Sequence, residues 1–168
     1  MSENLKLQPI QNWLKKNNWF FYDHQLETLN QSINGHDILL IAPTGGGKTL
    51  AGFLPSLHDL INNKFLDNKL HTLYISPLKA LTIDVHRNLT NPIEDQKLDI
   101  RVETRTGDTS GYKKTRQKRV PPHMLMTTPE SLALLLADIK AKEYFKSLRY
   151  LIIDEIHSLV NTKRGDLL

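Results

Sequence analysis

The chain predicts an α/β fold with a mostly parallel sheet flanked by helices, and three observations predict it. Short β-rich apolar runs recur at residues 38–42, 72–76, 100–104, 124–128 and 150–154. Amphipathic stretches at 23–34, 48–63, 78–89, 112–119 and 129–137 separate them, and strands alternating with helical stretches build βαβ units. The runs at 38–41 (Ile-Leu-Leu-Ile) and 151–153 (Leu-Ile-Ile) are continuously apolar, the pattern of strands covered on both faces.

Local signals punctuate these elements in order. Three glycines, Gly45, Gly46 and Gly47, stand between the first strand and the helix that follows it, and Pro77 precedes the helix at 78–89. Pro121 and Pro122 stop the basic helix at 112–119. Thr128 suits an N-cap and Pro129 the first turn of the next helix. With no repeat, low-complexity tract or interior linker, the 168 residues read as one domain.

Composition excludes several classes. At 39% hydrophobic and 24% charged, the sequence is that of a globular chain with a core. No stretch approaches the roughly 18 apolar residues of a membrane span, and residues 1–16 lack the apolar centre of a signal peptide, so a cytoplasmic protein without a membrane partner is expected. There are no cysteines, and the seven histidines lie scattered without HExxH-like spacing, so no structural zinc is expected.

The net charge of +4 is concentrated in residues 101–119, where seven basic residues face only Glu103 and Asp108. Such an excess suits a polyanion partner, and equally a solvated helix face.

Two segments carry recognisable chemistry. The first is Ala42-Pro43-Thr44-Gly45-Gly46-Gly47-Lys48-Thr49, and the second, 106 positions beyond its lysine, is Asp154-Glu155-Ile156-His157. Each follows a predicted strand, on the sheet edge where open α/β folds bind ligands. A triphosphate needs many donors at close range; glycines let the backbone N–H groups approach, and the following helix adds its positive dipole end. Lys48 is placed to reach the β and γ phosphates, and the Thr49 hydroxyl to ligate Mg²⁺. Asp154 would hold Mg²⁺ through water, while Glu155 would orient and polarise the attacking water. The loop begins with Ala42 where the strict phosphate-loop pattern has glycine, and the alternatives are a ligand-free glycine turn and an acidic structural cap.

These two segments resemble motifs I and II of superfamily 2 DExH-box helicases. Further segments resemble the large helicase-related (Lhr) family, in particular its bacterial form associated with a DNA ligase and DNA repair. They are residues 41–55, Tyr74-Ile75-Ser76-Pro77-Leu78-Lys79-Ala80-Leu81, Arg105-Thr106-Gly107-Asp108-Thr109, Thr127-Thr128-Pro129-Glu130-Ser131-Leu132 and Thr162-Lys163-Arg164-Gly165, in the family's order. The resemblance implies a RecA-like P-loop domain that binds ATP and Mg²⁺. It implies nucleotide contacts from Gln25, Thr44, Gly45, Gly46, Gly47, Lys48 and Thr49, with Gln25 reading adenine and Phe21 or Tyr22 stacking on it. The sequence lacks the proline expected before Gln25, and an exposed helix position is the alternative for that residue. Pro77, Lys79, Arg105, Thr106, Gly107, Thr128, Pro129 and Glu130 match the nucleic-acid-gripping motifs, where side chains and helix-start amides would meet phosphates. His157 matches a position that links the nucleotide site to a partner domain; a packed or exposed histidine is the alternative.

The activity so implied is an ATP-dependent DNA helicase or translocase moving 3′ to 5′ in DNA repair. The partners are single-stranded or partly duplex DNA, a second RecA-like domain and a DNA ligase. An RNA track, or a nucleotide- or nucleic-acid-binding module without ATPase activity, are the alternatives. The sequence ends at Leu168 before any segment matching motif III or a second domain. The expectation is an N-terminal helicase fragment, its sheet incomplete at the C-terminus, that does not turn over ATP by itself.

Overall fold

The computed structural model describes residues 7–43, 45–63, 68–160 and 162–167. The chain divides into two compact units, Met1–Phe65 with Asn91–Leu98, and Leu66–Thr90 with Asp99–Leu168.

The first unit is helical. Helix α1 (Gln8–Lys16), which has no counterpart among the predicted elements, carries a proline in its first turn and buries Ile10 and Leu14, four residues apart on one face. Helix α2 (Asp23–Ile33) packs along α3 (Lys48–Asn62), whose apolar face includes Ala51, Phe53, Leu54, Leu57 and Leu60. Both end within a residue of the predicted boundaries.

The predicted strand at 38–42 does not form. No described strand pairs with it, and Leu39 and Ile41 are 74% and 85% exposed. The apolar run marks residues fit for a buried strand, but a strand exists only where a neighbour accepts its backbone hydrogen bonds. That condition is nonlocal and is unmet among the described residues.

The second unit contains a four-stranded, wholly parallel sheet. Its strands are β1 (Thr72–Ile75), β2 (Val102–Arg105), β3 (Met124–Thr127) and β4 (Tyr150–Ile153), in the order β2-β3-β1-β4. The register aligns Thr72 with Met124 and Tyr150, and Val102 with Met124, so the four strands end level with one another. Every residue of β1 and β3 is buried, as central parallel strands require. Leu70, Leu73, Ile75, Leu125, Leu132 and Leu135 form the core on one face, with Tyr144, Phe145 and Leu148 packed against them.

Each crossover carries a helix, α4 (Lys79–Asp95) after β1, α5 (Gly111–Arg119) after β2, and α6 (Pro129–Leu136) with the short α7 (Ala141–Tyr144) after β3. Helix α4 runs past its predicted end at 89 and through Pro92, where buried Pro92 and Ile93 reward continuation against proline's missing N–H. Ser110 caps α5, its hydroxyl accepting from the Lys113 N–H at 3.3 Å. Thr128 stands at the N-cap of α6 as predicted, but its hydroxyl faces the Ser131 hydroxyl rather than a helix N–H. Among the described residues no helix is long and apolar enough to cross a membrane.

Candidate nucleotide and nucleic-acid sites

The glycine loop of the first unit is held by its own backbone. Gly45 and Gly47 have φ of 80° and 71°, a left-handed conformation that costs any residue with a Cβ roughly 1–2 kcal/mol. Gly46 N–H donates to the Pro43 carbonyl at 3.1 Å. Lys48 Nζ turns back across the loop and donates to the Ala42 and Pro43 carbonyls at 2.7 and 3.1 Å. The loop thus delivers Lys48, half-buried Thr49 and the opening N–H groups of α3 to one place. Thr44, a predicted nucleotide contact, lies outside the described residues.

Gln25 is not an exposed helix residue. It is 2% exposed, its Oε1 accepts the Tyr22 N–H at 3.0 Å, and its Nε2 donates to the Gly47 carbonyl at 3.1 Å. That amide ties the start of α2 to the start of α3. A Cβ on Gly47 would lie 2.5 Å from Gln25 Nε2, so this position needs glycine for space as well as for φ. Tyr22 is exposed and stacked on His24, with ring centroids 5.5 Å apart, while Phe21 is half-buried.

In the second unit the acidic pair stands at the carboxyl end of β4. Asp154 N–H extends the ladder to the Ile75 carbonyl at 2.9 Å. Its carboxylate accepts from the Tyr74 hydroxyl at 2.7 Å and from the Glu155 N–H at 2.9 Å. Burial first, and then this carboxylate, push the Tyr74 phenol far above its ordinary pKa, so Tyr74 stays a donor. Glu155 has φ 50°, a costly conformation for a side-chain-bearing residue and one that clusters at functional sites. His157, whose side chain is exposed, meets the Glu155 carboxylate at 3.3 Å.

The sheet's carboxyl edge brings the other predicted segments to the acidic pair. Beyond β2 come Arg105, Thr106, Gly107 and Asp108; beyond β3, Thr128, Pro129 and Glu130; beyond β1, Ser76, Pro77 and Lys79. Hydrogen bonds fasten their roots: Ser76 N–H donates to the Thr127 carbonyl at 3.1 Å, and the Thr127 hydroxyl to the Arg105 carbonyl at 2.8 Å. Lys79 forms a two-pronged ion pair with Asp108, 2.9 Å to each oxygen, beside Gly107. Both partners are exposed, so the pair is weak and Lys79 can exchange its partner at little cost.

Two expectations change here. Arg105, predicted to meet phosphate, is 5% exposed, and its guanidinium donates to the Lys114 carbonyl at 3.0 Å. Its place is inside the unit, fastening the end of β2 to α5. The basic stretch is also largely committed within the fold: Arg101 and Lys114 bond the Pro121 and Gly107 carbonyls, and Arg116 and Lys118 pair with Glu103 and Asp138. Lys113 and Arg119 make no such bond among the described residues, which leaves a much smaller free positive surface than the composition implies. Arg164, in a segment given no role above, bonds both the Pro77 carbonyl and the Glu130 carboxylate. Its signal was the Thr-Lys-Arg-Gly match itself.

Residues 22–168 match the DEAD/DEAH box helicase family. The chain belongs to that family. Among curated relatives, an ATP-dependent helicase, Lhr-Core protein 2 of Thermococcus barophilus, is 38% identical over 170 residues, covering 94% of this chain and 20% of the relative. The Lhr helicase/uracil glycosylase of Escherichia coli is 39% identical, covering 84% of this chain and 10% of its own length. Among solved structures, Mycobacterium smegmatis helicase Lhr bound to single-stranded DNA and AMP-PNP superposes with a TM-score of 0.75 at 40% identity, over 86% of this chain and 19% of that one. The likeness confirms the RecA-like helicase fold expected from the motifs. The chain spans a fifth or less of the length of these relatives.

Proposed function

We propose that this chain is the ATP-binding motor domain of an ATP-dependent DNA helicase or translocase. The observation that carries the reading is the carboxyl edge of the sheet, where the Asp154–Glu155 pair and the three segments with the composition of phosphate-gripping motifs end level on four paired strands. Nucleotide hydrolysis and grip on a polyanion then share one rigid frame.

In this reading Lys48 gives up the carbonyls of Ala42 and Pro43 for phosphate oxygens, and the glycine amides with the dipole end of α3 complete the cradle. Thr44 and Gln25 are further nucleotide contacts in this reading, Gln25 reading adenine with the side-chain amide that lies at Gly47. Glu155 orients and polarises the attacking water. Asp154 and Thr49 each offer a hard oxygen of the kind Mg²⁺ takes: carboxylate oxygens that accept from the Tyr74 hydroxyl and the Glu155 N–H and keep lone pairs to spare, and a hydroxyl. Held by such ligands, Mg²⁺ would neutralise charge developing on the phosphates. On the second unit, Lys79, the Thr106 and Thr128 hydroxyls, and the backbone at Gly107, Pro129 and Glu130 hold the nucleic-acid backbone beside Pro77, with Arg105 supporting from within.

DNA is favoured over RNA because a relative 40% identical to this chain is described bound to single-stranded DNA. A second RecA-like domain supplying the arginine for the transition state, 3′-to-5′ movement, service in DNA repair beside a ligase, and a cytoplasmic site of action complete the proposal, and rest on the resemblance to Lhr proteins.

The test is ATP hydrolysis by the full-length protein with and without single-stranded DNA or RNA. Glu155→Gln is expected to lower the stimulated rate by about 10²-fold or more while nucleotide and DNA binding persist. Undiminished hydrolysis in that variant would sink the catalytic assignment, and stimulation by RNA alone would move the track to RNA.

A further inference from the structure

The four segments of the carboxyl edge are not fastened equally. The loop after β2 is held to α4 by the exposed Lys79–Asp108 pair, whereas the loop after β1 and the start of α6 are joined through a residue from outside both. Arg164 Nη2 donates to the Pro77 carbonyl at 2.6 Å, and Arg164 Nε donates to the Glu130 carboxylate. One planar guanidinium therefore spans the two segments from which a backbone grip is built, in the fixed fork geometry that a flexible ammonium lacks.

The surroundings are arranged to hold that fork still. The Thr162 hydroxyl donates to the Leu159 carbonyl at 2.8 Å, and Gly165 N–H to the Thr162 carbonyl at 2.9 Å. A Cβ on Gly165 would lie 2.2 Å from the Leu159 carbonyl oxygen, so the turn that presents Arg164 closes only with glycine. The short 3-10 turn Gly165–Leu167 packs against α6. On the receiving side, the Arg164 contact is the chief cause holding the Glu130 carboxyl at about 2, well below the ordinary range. Glu130 would otherwise place an unpaired negative charge at the helix start where a phosphate is to bind.

We infer that Arg164 is a positioning residue for nucleic acid: it fixes the spacing between the Pro77 loop and the first turn of α6, and neutralises Glu130 there, without touching the nucleic acid or the nucleotide. The inference rests on the nucleic-acid reading above and adds a residue and a mechanism to it.

The experiment is ATP hydrolysis by the full-length protein titrated with single-stranded DNA, for wild type, Arg164→Ala, Arg164→Lys, Glu130→Ala and the Arg164→Ala/Glu130→Ala double variant. Arg164→Ala is expected to raise the DNA concentration for half-maximal stimulation roughly fivefold, while the rate at saturating DNA stays within about twofold. Arg164→Lys is expected to recover less than half of that loss, and the double variant to be no worse than the poorer single one. An unchanged half-saturation in Arg164→Ala overturns the inference. So does a fall in the saturated rate without a change in half-saturation, and so does full recovery by lysine, since a point charge would then suffice. A wild type whose hydrolysis ignores both DNA and RNA sinks the nucleic-acid reading itself, an outcome distinct from a stimulated wild type with an indifferent Arg164 variant.

Discussion

The glycine loop at residues 42–49 and the carboxyl edge of the sheet both gather groups that the proposed function assigns to phosphate, but they assemble them differently. In the loop the hydrogen-bond partners among the described residues are close in sequence, Lys48 reaching carbonyls five and six residues back, with Gln25 joining from elsewhere. On the sheet edge the partners come from β1, β2, β3, β4 and the 162–167 segment, and nothing local brings Thr127 to Arg105 or Arg164 to Pro77. A loop of this kind keeps its shape through glycine φ values, even though the apolar run before it forms no strand. The sheet edge keeps its shape only while the strands stay in register.

Substitutions whose effects belong to one region alone separate the two regions most clearly. Lys48→Ala in the full-length protein removes the loop's one cation for the phosphates and is expected to weaken nucleotide binding by about 10²-fold, leaving the DNA affinity of the nucleotide-free protein unaltered. Calorimetric titration with a non-hydrolysable ATP analogue checks it; near wild-type nucleotide affinity would remove Lys48 from the site.

Gly47→Ala is expected to cost about 1–3 kcal/mol in denaturant unfolding, because it adds left-handed strain to a clash at 2.5 Å with Gln25 Nε2. Gly107→Ala, on the sheet edge, meets only the flexible end of Lys79 at 3.6 Å and serves as the control. Equal costs for the two would mean that the loop's conformation is not the constraint argued here.

The smallest effect is on pH. The Glu130 carboxyl is held at about 2 in the folded protein against an ordinary 4.5, so its contribution is present above pH 4.5 and drains away as pH falls from 4.5 towards 2. Its side chain is half exposed, so solvent screening limits the contribution to roughly a few tenths of a kcal/mol. Comparing unfolding free energies at pH 6 and pH 3 for wild type and Arg164→Ala should show a slightly shallower acid loss in the variant; identical slopes would detach the Glu130 shift from Arg164.

Much of this was legible in the residues. Four predicted strands and four of the five predicted helices formed close to their expected ends, and α4 began where expected but ran on to Asp95, because alternation of apolar runs with amphipathic stretches, and prolines and glycines between them, act locally. The glycine loop and the acidic pair were readable for the same reason. The failures share one cause. Residues 38–42 have a strand's composition but, among the described residues, lack a neighbour to pair with. Arg105 has the charge of a surface residue but is buried against the Lys114 carbonyl, while the basic stretch, for which a solvated face was the open alternative, spends much of its charge on tertiary partners.

By itself, then, the sequence determined which chemical groups this protein owns and which of them neighbour one another along the chain, since glycine freedom, helix starts and apolar periodicity are properties of a few consecutive residues. Only the tertiary structure decided that Gln25 is buried against Gly47, that Arg105 points inward, and that Arg164 joins Pro77 to Glu130. Those facts depend on strand register and side-chain packing between segments tens of residues apart, where the free energy of a contact is set by what else is present to satisfy it.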